Sequence, residues 1–419
     1  MSKVKAILIG AGGRGMFSYG PYAVEHSDEI QFIAVADPDV ERRESFKMIH
    51  GINDNMCFSS WEEVLKKPRL ADVVLICTQD KMHFEPTLKA LEKNYHVLLE
   101  KPMSTNPAEC KIMGEYAKKY NRVFSICHVL RYTSFFGTIK RLIEEGRIGR
   151  LISIQHNENV CYWHQAHSYV RGNWRNSETS SPMILAKSCH DMDILLWLAG
   201  ADCVSISSFG GLSHFKKENA PEGAPARCMD GCPEKDSCEF YAPKLYLTEN
   251  TNWPTSAISL DTSMAARERA LKDGPYGRCV YHCDNNVVDH QVVNIEFANE
   301  VTASFTMCAF TNEISRTIKL MGTKGEIRGD MEKNEIEMVT FLTGEKEMIK
   351  LDDINGGNGH GGGDQGIMRE FIKLVQSDGK ISSLTSADVS VQSHLMAFAA
   401  EKSRLEKKVI DMKQYISEI

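Results

Sequence analysis

The sequence predicts an α/β chain in two parts: a parallel, doubly wound sheet, then an α+β domain on a large, mostly antiparallel open-faced sheet. Three observations predict this. Over residues 1–128, short and nearly continuous apolar runs alternate with helix-like segments, as strands buried on both faces of a parallel sheet do. A glycine-rich turn ends the first run and an aspartate ends the second. After Gly149 the runs lengthen and polar residues and tight turns interrupt them, which is how antiparallel strands read.

The first part holds five such runs. They are Val4–Gly10, Phe32–Asp37, Ala71–Thr78, Tyr95–Lys101 and Arg122–Val129, with helices expected at Phe84–Asn94 and Asn106–Tyr120. In doubly wound sheets ligands bind beyond the carboxyl ends of the strands. Gly10, Asp37, Thr78, Lys101 and His128 all sit there. The second part, 129–419, is expected to carry strands at Leu151–Val160, Val292–Asn299, Val301–Phe310 and Arg316–Asp330, with a tight turn at Asn299–Glu300. Helices are expected at Ser188–Ala199 and Asp388–Lys402. Two segments break the rhythm. Lys216–Asn286, rich in Cys, Pro and Gly, reads as an insertion. Asn355–Gly366, "NGGNGHGGGDQG", reads either as a flexible linker or as a loop closing over a site with His360.

Composition narrows the function. The chain has 419 residues, 42% hydrophobic and 25% charged, an ordinary globular balance whose length suits two domains. Forty-nine basic against 56 acidic residues leave a net charge of −7, and no long basic run argues for nucleic acid. The apolar run after the N-terminus is too short for a signal segment or a membrane span, so a cytoplasmic location is expected. The 13 cysteines are then expected as thiols or metal ligands.

"GAGGRG" supplies Gly10, Gly12, Gly13, Arg14 and Gly15 in G-x-G-x-x-G spacing, and Asp37 follows 22 residues after Gly15. The glycines would let the backbone approach a pyrophosphate at a helix start. Asp37 would accept from a ribose diol and repel a 2′-phosphate, which favours NAD; Arg42 and Arg43 keep NADP open. The run "VLLEKPMS" delivers Glu100 and Lys101 to a strand end, where Pro102 stiffens the chain. A lysine held there could exchange a proton with a substrate hydroxyl as hydride leaves the same carbon. Further on, Asn157–Asn176 mixes His164, His167 and Arg171 with Tyr162, Trp163, Tyr169 and Trp174. Hydrogen-bonding groups among aromatics suit a carbohydrate; a packed loop or a subunit contact is the plainer alternative. In the insertion, Cys228, Cys232, Cys238, Cys279 and Cys283, with His282, could supply a structural zinc site, or remain thiols or a disulfide. Cys77, Cys127 and Cys308 lie in apolar strands and read as core.

Together "GAGGRG", "AVADPD", "TQDKMHFEPTLKAL", "EKPMS", "RYTSFFGTIKRLIEEGRIG", "HDMD" and "MGTKGEIRGD" resemble the Gfo/Idh/MocA oxidoreductases over most of the chain. The resemblance implies NAD(P) chemistry on sugars, polyols or related compounds at a site between the two domains. It places Lys101 at the reacting hydroxyl and makes His190 its catalytic companion, with Asp193 following. It puts Thr78, Gln79, His83 and Glu100 near the cofactor and Lys187, Asp191 and His360 with the substrate. It also implies a homodimer or homotetramer. Ala186 departs from the family, which commonly has an acid four residues before the histidine. An altered pocket is therefore expected, one for an anion or several hydroxyls. The resemblance leaves two other readings open: a glycosidase using NAD transiently, and a non-catalytic NAD and sugar sensor.

Overall fold

The computed structural model describes residues 3–351, 360–377, 379–380 and 383–419. The first sheet has six parallel strands: β1 (Val4–Ile9), β2 (Ile30–Ala36), β3 (Cys57–Phe58), β4 (Val73–Ile76), β5 (His96–Leu99) and β6 (Phe124–Ile126). Their order is β3-β2-β1-β4-β5-β6, so the order reverses between β1 and β4. That reversal opens the crevice at which doubly wound sheets bind ligands. Five strands match the expected runs. β3 is two residues long, too short to leave an apolar run, and pairing with β2 creates it.

The second sheet has nine strands among the described residues: β7 (Leu151–Asn159), β8 (Cys203–Gly211), β9 (His290–Phe297), β10 (Thr302–Cys308), β11 (Ser315–Gly322), β12 (Gly325–Asp330), β13 (Glu335–Thr340), β14 (Lys346–Lys350) and β15 (Ile410–Asp411). The order is β14-β13-β12-β11-β7-β10-β9-β8-β15, antiparallel except for β7 beside β10. Burial alternates residue by residue along β9 and β10, so one face is covered and the other open. The expected run Arg316–Asp330 is a hairpin rather than one strand. Met321 pairs with Glu326 across its turn. Gly322 lies so close to Ile148 that a Cβ there would meet its carbonyl oxygen at 2.1 Å, which forces the chain to turn against the loop before β7.

Helices Cys189–Ala199 and Ala387–Glu406 fall where expected, within a few residues. The insertion has a ten-residue helix, Met264–Asp273, and otherwise short turns. Residues 355–359 of the glycine-rich segment lie outside the described residues. From Gly363 the segment is helix, Gly363–Gln376, not linker. A Cβ at Gly363 would meet Val129 O at 2.2 Å, so its glycine serves close packing. Ile367, Met368, Phe371 and Ile372 of this helix join Leu8, Val35 and Leu75 in the core of the first sheet. The chain thus crosses back to its first domain before helix Ala387–Glu406 packs Leu395, Met396 and Ala399 into the core of the second. The seam between the sheets is closed by both parts of the chain. No described helix is long and apolar enough to cross a membrane.

Candidate active site

The cofactor end is built from the carboxyl ends of β1, β2, β4 and β5. Gly10 has φ +94°, and a Cβ there would meet Cys77 O at 2.5 Å, so only glycine lets β1 turn against β4. Gly12 and Gly13 face the other way: a Cβ at Gly13 meets nothing within 4 Å, and at Gly12 the nearest atom is Arg42 Nη1 at 4.0 Å. That open backbone is the cradle a dinucleotide pyrophosphate needs. The chain then enters a wide turn, Arg14–Tyr19, which leads into helix Gly20–Glu25. Buried Asp37 accepts from the Ala11 amide at 2.6 Å and the Asp39 amide at 2.8 Å, fixing its carboxylate at the end of β2. Arg43 donates to the Asp37 carbonyl at 2.6 Å, and Arg42 pairs with Asp39 at 3.7 Å. These residues fit NAD.

Arg14 does more than line the turn. Its guanidinium donates to Glu100 at 2.5 Å and bidentately to Asp364 at 2.6 and 3.0 Å. Tyr19 OH donates to the same Glu100 oxygen. Burial pushes Glu100 up, but Arg14 and then Lys101 hold its carboxyl below the usual carboxylate range. The glycine turn, the end of β5 and helix Gly363–Gln376 are therefore locked together through one arginine. His83 is buried with Nδ1 2.6 Å from Pro102 O and Nε2 3.1 Å from Thr78 O, so it clasps the ends of β4 and β5. Thr78 is half-buried and Gln79 exposed beside it.

Lys101 reaches across the seam. Its Nζ donates to Ala186 O at 2.7 Å. The position without the expected acid thus supplies its backbone carbonyl instead, a neutral acceptor for the ammonium. His190, at the start of helix Cys189–Ala199, is 3% exposed, and its Nδ1 has no hydrogen-bond partner. Burial first, then the charge of Lys101, pushes this imidazole well below its ordinary range, so it is neutral at pH 7. The His360 and His128 rings stand 5.7 and 6.0 Å from it.

Around this pair lies a buried lattice of charge. Glu158 on β7 stands 3.2 Å from Lys187 Nζ and 2.5 Å from Arg316 Nη2. Arg316 Nε donates to Asp191 at 2.8 Å, and His156 Nε2 lies 2.8 Å from the same carboxylate. The contacts to Glu158 are ion pairs rather than aligned hydrogen bonds. Burial pushes Lys187 down and Glu158 opposes it. Asp193 takes a bidentate pair from Arg131, 2.7 Å at each oxygen, rather than facing the crevice.

The expected substrate residues divide. Lys187, Asp191, His190 and His360 gather beside Lys101, and His164 lies close enough to Lys187 and Arg316 for their charges to push its imidazole further down than burial alone. Trp174 donates to Asp80 at 3.2 Å, which fastens this segment to the loop after β4. His167 and Arg171 go elsewhere. His167 bonds Tyr246 at 2.7 Å and stacks on Tyr276, and Arg171 donates to Arg278 O and Phe240 O, so both bind the insertion. Tyr19, Asp364, His128, His156, Glu158, Arg131 and Arg316 were missed. Each lies far in sequence from its partner, and only the alternation on β7 and β11 hinted that a buried polar row faces inward. Among the described residues no three His, Cys, Asp or Glu groups already stand in a metal-holding arrangement, so the expected zinc cysteines do not form a ready-made site.

Known proteins bear on this arrangement. The putative oxidoreductase YteT of Bacillus subtilis (strain 168) is 23% identical over 362 residues, covering 82% of each chain. The 1,5-anhydro-D-fructose reductase of Ensifer adhaerens is 28% identical over 198 residues, 46% of this chain and 56% of that one. The scyllo-inositol 2-dehydrogenase (NADP(+)) IolW of Bacillus subtilis (strain 168) is 26% identical over 198 residues, 47% of this chain and 52% of that one. A levoglucosan dehydrogenase solved with NADH and L-sorbose superposes with a TM-score of 0.73 at 19% identity, covering 98% and 99% of the two chains, a likeness of fold. Family models match both parts: "Oxidoreductase family, NAD-binding Rossmann fold" over residues 4–128 and "Oxidoreductase family, C-terminal alpha/beta domain" over residues 140–412. With the glycine cradle, Asp37 and the Glu100–Lys101 strand end in place, this chain belongs to the Gfo/Idh/MocA oxidoreductases.

Proposed function

We propose that the protein is an NAD-dependent dehydrogenase acting on a hydroxyl-bearing carbon of a sugar, polyol or glycoside, with Lys101 and His190 sharing the proton work. The observation that carries this is Lys101 crossing the seam to Ala186 O, beside a neutral, unpartnered His190 Nδ1. NAD, when bound, supplies the hydride acceptor. An ammonium has three donors. One of Lys101's is taken by Ala186 O, which fixes the side chain and leaves two for the substrate oxygen. His190 Nδ1 can take the hydroxyl proton during oxidation and return it in the reverse direction. Asp37 and the arginines tied to Asp37 O and Asp39 support a preference for NAD over NADP. Lys187, Arg316 and His164 beside the site suit a substrate rich in oxygen acceptors. On the open face of the second sheet, exposed Phe209 pairs with exposed Val292, which supports the expected homo-oligomer.

The test is a screen of sugars, polyols and nitrophenyl glycosides with NAD, reading NADH and nitrophenol together. NADH accumulation is expected; NAD-dependent nitrophenol release without it would overturn the dehydrogenase in favour of a redox glycosidase. On the best substrate, Lys101→Met is expected to lower kcat by about 100-fold or more while NAD still binds. Wild-type turnover in that variant would remove Lys101 from the chemistry.

A further inference from the structure

The insertion carries chemistry that the dehydrogenase reading does not use. Cys228, Cys232, Cys238 and Cys279 together line one cavity of about 20 Å³. A cavity must hold roughly 10–15 Å³ to admit one water-sized sphere, so this one takes a single small guest. Two stretches of chain are pinned to make it. Cys228 N donates to Gly277 O and Cys279 N to Ala226 O, both at 2.9 Å, around the antiparallel bridge Arg227–Arg278. Cys238 is set by its amide bond to Glu234 O at 2.8 Å.

A second observation concerns charge. Arg171 is 1% exposed, and its guanidinium is met by two carbonyls and by Cys228 Sγ at 3.6 Å, with no carboxylate partner. A buried cation needs a counter-charge. Neutral thiols supply none; four thiolates on a divalent ion carry a net charge of −2. The surroundings need a staple as well: the insertion contributes no strand to either sheet, and its cores are small clusters around Phe240, Tyr246 and Leu271.

We propose that Cys228, Cys232, Cys238 and Cys279 bind one zinc ion as a structural tetrathiolate site, with Arg171 as its buried counter-charge. Cys283 and His282 are excluded. Cys283 Sγ donates to Cys279 O at 3.2 Å, His282 Nε2 lies 3.1 Å from Ala224 O, and neither lines the cavity. Binding is balanced as four thiols plus one divalent ion giving the tetrathiolate and four protons, with no redox change. Without metal the thiols stay protonated, burial pushing Cys238 and Cys279 up, the latter to about 11, so nothing draws the four sulfurs together. That accounts for the lack of a ready-made metal cluster among the described residues, as binding and local ordering are coupled. All 13 cysteines are free, so no disulfide competes.

The test uses the full chain expressed with added zinc and analysed by inductively coupled plasma mass spectrometry. About one zinc per chain is expected. Cys283→Ser is expected to keep it, whereas Cys232→Ser and Cys279→Ser fall to about a tenth or less. In case those variants misfold, wild-type protein is alkylated before and after zinc extraction with a chelator, and the labelled peptides are identified. Cys228, Cys232, Cys238 and Cys279 should be protected before extraction and labelled after. Negligible zinc, bound iron in its place, unchanged labelling, or a disulfide among the four would each overturn the proposal, whatever the catalytic activity proves to be.

Discussion

Asp193→Asn tests how the catalytic helix is held. The carboxylate is 1% exposed and Arg131 5% exposed, and both oxygens accept from the guanidinium at 2.7 Å. Asparagine keeps the shape but leaves the guanidinium uncompensated and sets an amide N–H against one of its donors. Removing one partner of a buried pair costs about 3–5 kcal/mol, about two to four powers of ten in the folded-to-unfolded ratio. Arg131 Nη1 also donates to Leu384 O at 2.8 Å, and its guanidinium lies 5.5 Å from the Trp197 ring, so damage is expected to spread to the neighbouring turn. Urea unfolding followed by tryptophan fluorescence and circular dichroism reads the loss. Adding Arg131→Met removes the stranded charge, and the double variant is expected to be more stable than the sum of the singles by about 2 kcal/mol. A loss in Asp193→Asn below about 1 kcal/mol would place the pair with exposed ion pairs and refute the reasoning. Asp193 would then be free to act at the reacting carbon.

Acid is expected to destabilise the fold before any carboxylate titrates. Burial pushes His394 and His167 down to about 3, so both stay neutral when folded while their unfolded forms protonate near pH 6.5. The unfolded state therefore binds more protons, and each group removes stability at about 1.4 kcal/mol per pH unit as pH falls below about 6.5. His394 accepts from the Met103 amide at Nε2 and so must hold its proton on Nδ1. His394→Gln should flatten part of the slope in urea midpoints between pH 7 and 5; equal midpoints across that range in the wild type would refute the assignment. Asp37→Asn is expected to weaken NAD by about tenfold or more, as loss of a charged acceptor should, and NADP less. An unchanged ratio of the two dissociation constants would remove Asp37 from cofactor selection.

The first domain was legible because its strands are buried on both faces, so each one writes a continuous apolar run, and the turns that meet a dinucleotide demand glycine and an acid at set intervals. Lys101 was legible for a related reason: a charge ending an apolar strand has to be delivered somewhere. Strands β3, β8, β13 and β14 were not legible. They are short, serine-rich or charged edge segments whose pairing comes from neighbours far along the chain. The glycine-rich tract misled in part, since composition cannot distinguish a glycine that bends from one, such as Gly363, that permits close packing. Arg171 and His167 misled in another way: their type suits a sugar, but their donors and rings are taken by the insertion.

The sequence by itself determined the dinucleotide cradle, the position of Lys101 and the family, because each depends on local spacing along one or two elements. Tertiary structure alone decided which charges meet. Arg14 with Asp364, Arg131 with Asp193, Glu158 with Arg316 and Lys101 with Ala186 O join residues 62 to 350 positions apart. No periodicity records such pairs. They are chosen by the folding of two sheets onto one seam, where a buried charge is tolerated only beside the partner that the packing brings to it.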